Sequence, residues 1–64
     1  MKTNFKSIEK MITSNGWILV HISGSHHQYK KAGVPGVVTI PNHARGVSIG
    51  VIKSIERLTG LTLR

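Results

Sequence analysis

Between Trp17 and Pro41 the chain runs through three strand-length segments, WILVHIS, HHQYKK and VVTIP, joined only by Gly24-Ser25 and the turn cluster AGVPG. Parallel neighbours need a crossover of a dozen or more residues, and no such stretch separates these segments. The three must pair as an antiparallel meander. A meander of this kind has one covered face, and the flanking sequence has to supply the cover.

Both flanks read as amphipathic helices. In FKSIEKMITSNG, Phe5, Ile8, Met11 and Ile12 recur at helical spacing, Thr3 or Asn4 caps the start, and Asn15-Gly16 stops it. After the connection NHARGV, Ser48 caps a second helix through Leu58. Its apolar side is Val51, Ile52, Ile55 and Leu58, with Lys53 and Arg57 outward and Gly60 just beyond. The expected fold is α+β, in the order α-β-β-β-α: a three-stranded antiparallel sheet with two helices packed on one face.

Alternation along the strands divides the remaining side chains. Ile18, Val20, Ile22, Tyr29, Val38 and Ile40 are expected in the core, with Trp17, Leu19 and His21 on the other side of the first strand. His26, Gln28, Lys30, Val37 and Thr39 are expected on the open face. The adjacent histidines therefore have different surroundings: His26 faces solvent, and His27 points toward the helix layer or its edge.

With 64 residues and no cysteine, the chain makes one small domain, residues 1–64, without disulfides or thiolate metal sites. No apolar run before Trp17 suits a signal-peptide core, and WILVHI is too short to span a bilayer. A soluble cytoplasmic protein with no membrane partner is expected. Nine Lys and Arg against two Glu give a formal charge of +7, so the natural partner is a polyanion, nucleic acid first. An acidic protein would use the same surface.

The inventory of reactive groups is narrow. The only carboxylate side chains, Glu9 and Glu56, lie in the two helices. Paired-carboxylate catalysis, a carboxylate-held Mg²⁺ and a Ser-His-Asp triad are all disfavoured. Histidines without helical HxxxH spacing argue against zinc, and GSHHQY is not a phosphate-binding P-loop. No metal and no cofactor are expected.

What these residues could support is RNA cleavage through the substrate's own 2′-OH. Imidazole, titrating near neutrality, would move the protons, and Lys or Arg would stabilise the phosphorane. The candidates are His26, Lys30, Lys31 and His43, with Gly24 and Ser25 shaping the turn. The open-face Gln28, the loop residue Arg45, and Lys6 and Lys10 of the helical lysine stripe could contact RNA. The residues alone leave two readings open for His26, a catalytic group or a surface residue. A non-catalytic RNA-binding module would explain the same charge.

Four motifs in order resemble the HicA family of bacterial toxins over nearly the whole chain: NGW closing the first helix, GSHHQYK, VTIPNH, and SIGVIKSIERLTGL. The resemblance implies a fold similar to double-stranded-RNA-binding domains. It also implies metal-independent cleavage of mRNA, with His26 as the catalytic residue and His43 in support. A HicB-like antitoxin with an acidic surface would cover the site, so the chain would be a monomer alone and part of a hetero-oligomer with its antitoxin. The loop before the closing helix has only Arg45, where relatives are often richer in lysine.

Overall fold

A computed structural model describes residues 4–43 and 45–63. The elements run α1 (Phe5–Thr13), β1 (Ile18–Ser23), β2 (His26–Lys31), β3 (Val34–Pro41) and α2 (Ile49–Thr59). The sheet order is β1-β2-β3 with both pairings antiparallel, as the short turns require. The α+β order expected from the sequence is the order found.

The helix ends have local causes. Asn4 caps α1, its side-chain oxygen accepting from the Ser7 N–H at 2.8 Å; Thr3, the alternative cap, lies outside the described residues. Ser48 accepts from the Val51 N–H at 3.3 Å to cap α2, and Gly60 ends that helix by donating to the Glu56 carbonyl. Among the described residues no helix is long and apolar enough to cross a membrane.

One core joins both helices to one sheet face. Phe5, Ile8 and Ile12 of α1 and Ile52 and Ile55 of α2 close over Tyr29, Val38 and Ile40, with Trp17, Val47 and Leu63 at its margins. Each such side chain contributes about 1.5–3 kcal/mol by leaving water. Tyr29 adds a polar tie, its hydroxyl donating to Glu9 Oε2 at 2.5 Å and so pinning α1 to β2. Burial and the adjacent Glu9 carboxylate together push the Tyr29 phenol well above its usual range.

The first strand departs from the expected pattern. Ile18, Val20 and Ile22, expected in the core, are 67%, 53% and 51% exposed, and every β1 residue is open to solvent. Two causes combine. The helices pack chiefly over β3, with Tyr29 of β2 in the shared core, leaving β1 as the far edge of the sheet. A β-bulge between Leu19 and His21 also leaves Val20 without a partner and reverses the alternation. Leu19 pairs with Tyr29 and Ile22 with His27, on the helix side, whereas Ile18, His21 and Ser23 pair with Lys30, Gln28 and His26 on the other.

Three smaller departures follow from the same packing. Trp17, expected away from the core, is buried at its margin, because its N–H donates back to the Ile12 carbonyl at 3.2 Å and folds it under the end of α1. Met11 and Leu58, expected on apolar faces, are both substantially exposed. Leu58 projects from the flank of α2 toward the β3 edge, where it borders the groove described below.

Candidate active site

Two turns bring the site together. In the hairpin between β1 and β2, Ser23 pairs with His26, leaving Gly24-Ser25 as a two-residue loop. Gly24 has φ +59° and no non-glycine residue described has positive φ, the pattern of a type II′ turn with glycine first. This turn starts β2 at His26 and puts its side chain on the sheet face opposite Tyr29 and Val38, exposed as expected, where it also borders α2. His27, one residue on, is half-buried on the helix side. Its ring lies 4.6 Å from that of Phe5 at 60°, and its Nδ1 is 3.4 Å from the Ser25 carbonyl oxygen. It is a core-edge residue.

The second turn follows β3. His26 pairs with Pro41, and the Asn42 N–H donates to the Ser25 carbonyl at 2.7 Å, so the end of β3 is fastened to the hairpin. The next residue is His43, whose carbonyl accepts from the Gly46 N–H at 3.0 Å. The result is two exposed imidazoles, with ring centroids 6.4 Å apart and planes at 84°. Arg45 is exposed on the same turn.

Beside His26 a groove of about 380 Å³ runs between β3 and α2, walled by Val37, Thr39, Pro41, Ser54 and Leu58. Its walls are mostly apolar, with the Thr39 and Ser54 hydroxyls as hydrogen-bonding groups. An imidazole at the end of such a groove meets both solvent and whatever the groove holds.

The candidates divide by layer. Gly24, Ser25, His26, Gln28, Lys30, His43 and Arg45 belong to the His26 face or its turns. Lys31 does not join them: it pairs with Val34 and lays its stem over Gly16, where an added Cβ would stand 3.2 Å from Lys31 Cε. With φ +95°, Gly16 is doubly suited to that approach. Lys6 and Lys10 are exposed on α1, in the layer across the sheet from His26.

The structure adds residues that sequence reasoning missed. The bulge at Val20 turns His21 onto the His26 face, in a row His21–Gln28–Thr39 across the three strands. No glycine or proline marks that bulge, so the sequence holds no signal for it. Ser54 and Leu58 enter the groove from the helix. Among the described residues no three metal-ligating side chains converge.

A comparison with known families matches residues 5–61, from α1 to just beyond α2, to the model described as the HicA toxin of bacterial toxin–antitoxin systems. No curated protein matches the chain well enough to count as a relative. With the match extending over all five elements, the chain belongs to the HicA family and is the toxin of a toxin–antitoxin pair.

Proposed function

We propose that this toxin is a metal-independent endoribonuclease that cleaves mRNA in the cytoplasm, with His26 as its central proton-transfer group and His43 beside it. The observation that carries the reading is the exposed His26–His43 pair, 6.4 Å between ring centroids, held by the Ser25–Asn42 bond. Cleavage of an RNA phosphodiester needs one group to take the 2′-OH proton and another to give a proton to the 5′-oxygen. The 2′-oxygen attacks phosphorus, the P–O5′ bond breaks with its electron pair leaving on the 5′-oxygen, and a 2′,3′-cyclic phosphate remains. Imidazoles exchange both protons near neutral pH.

Lys30, on the His26 face, and Arg45, two residues beyond His43, supply positive charge for the phosphorane. Gln28 and the groove walls contact the strand. DNA has no 2′-OH and is not a substrate by this route. Before its target is met, a HicB-like antitoxin with an acidic surface covers the site. The free toxin is a monomer and its neutralised form a hetero-oligomer.

The test is incubation of the purified chain with an unstructured RNA in EDTA, beside His26→Ala, followed by analysis of the fragment ends. Cleavage by the parent alone, leaving 2′,3′-cyclic or 3′-phosphate ends, supports the proposal. Intact RNA from the parent, with binding still measurable, overturns it in favour of an RNA-binding module.

A further inference from the structure

We infer that β1 is the seat of the protein partner, an acidic protein that adds a β-strand to the free edge of the sheet. The inference rests on the toxin–antitoxin relationship and not on the nuclease chemistry.

The two sheet edges differ. β3 has α2 packed against it, but β1 meets little besides β2. Along β1, backbone N–H and C=O groups turned away from β2 are offered to a further strand. Edge strands are commonly protected by lysine, proline or cover. The run ILVHIS has no lysine or proline, and all its residues are exposed. Its bulge at Val20 is the one protective device. Four large apolar side chains, Ile18, Leu19, Val20 and Ile22, stand in water within five positions. They stand on both faces of the strand, Leu19 and Ile22 on the helix side and Ile18 on the other, so an added strand would cover apolar surface from each side.

Charge selects the occupant. A second copy added to this edge would bring together two chains of formal charge +7. An acidic partner relieves that charge. The faces of β1 give its pattern as well. On the helix side Leu19 and Ile22 call for apolar side chains. On the His26 side the exposed Ile18 calls for one more apolar contact, and Lys30 behind it on β2 calls for a carboxylate beside that contact. A strand apolar on its helix side, with an apolar and an acidic residue on the other, satisfies both. Strands lie about 4.8 Å apart, so the added strand would sit two positions from β2, the strand that carries His26.

The experiment uses the complex of this chain with its antitoxin, isolated after co-expression. Backbone amide exchange is compared between the complex and the free chain. Leu19→Lys and Ile22→Lys, which lie across the sheet from His26, are then assayed for antitoxin affinity, thermal stability and RNA cleavage. The expected result is slowed exchange over Ile18–Ser23, with affinity lowered about thirtyfold or more by the charged variants while melting temperature and cleavage hold. Protection confined to the β3–α2 groove, with both variants binding normally, overturns the proposal. So does concentration-dependent dimerisation of the chain alone that these variants abolish, which would assign the edge to a second copy. Absence of RNA cleavage by the parent would count against the nuclease and leave the binding result readable.

Discussion

The Asn42 N–H donates to the Ser25 carbonyl at 2.7 Å, and that one bond joins the residue before His26 to the residue before His43. The two imidazoles are therefore positioned by backbone at the meeting of two turns. Neither depends on the packing of its own ring into the core.

For His26 the consequence is a clean separation of activity from stability. His26→Ala should reduce cleavage by about 10²–10⁴-fold, the usual worth of a positioned acid–base group. As an exposed position, it should change unfolding free energy by no more than about 0.5 kcal/mol. Parallel cleavage assays and urea denaturation check both halves; a variant that melts early would undo the assignment.

The hairpin glycine should behave in the opposite way. A Cβ at Gly24 meets nothing within 4 Å, so its penalty is conformational, from φ +59°. Gly24→Ala should cost about 1–3 kcal/mol of stability and lower cleavage by tilting His26 away from His43. Chemical denaturation combined with single-turnover cleavage measures the two effects.

Tyr29 makes the fold sensitive to alkali. Its phenol is held protonated above the usual range near 10 by burial and by Glu9. Once pH passes about 10 the unfolded chain loses this proton and the folded chain keeps it, so stability falls as pH rises further and is fully present below. Tyr29 is the single tyrosine, so absorbance near 295 nm should follow it alone. Tyr29→Phe should remove this part of the alkaline slope. At neutral pH it should cost about 1.5–3 kcal/mol, the worth of a hydrogen bond to a charged group.

The layers also separate the lysines. Lys30 is exposed on the His26 face, and Lys10 lies on α1 across the sheet. Lys30→Ala should weaken binding of a non-cleaved RNA and lower the slope of log affinity against log salt by about 0.7, the single-strand value for one phosphate contact. Lys10→Ala should leave that slope unchanged. Fluorescence anisotropy across a salt series distinguishes them.

Much of this was legible in the residues because local rules and tertiary packing agreed. Gly24-Ser25 fixed the hairpin, short turns forced the meander, and alternation from that turn separated His26 from His27 correctly. Ser48 and Gly60 bounded α2. Alternation failed at β1, where Val20 occupies a bulge that nothing in ILVHIS announces, and where apolar content signalled burial although the helices pack chiefly at the other edge. Helical periodicity likewise assigned Leu58 to the core, because it does not say how far α2 is rolled around β3. The pairing of His26 with His43 depends on Asn42 reaching Ser25, a contact between segments that spacing along the chain does not encode.

The division between His26 and His27 has a consequence at the level of populations. Because the imidazole assigned to cleavage contributes nothing to the core, a cell poisoned by this toxin can escape through a substitution at one codon. On the proposals above, the protein so produced would fold and keep Ile18–Ser23 exposed as in the parent. Such a relic would go on titrating the antitoxin, leaving less of it for any active copy in the same cell. Loss of toxicity in one gene would then raise the effective dose of another, and dead copies would shape selection on living ones.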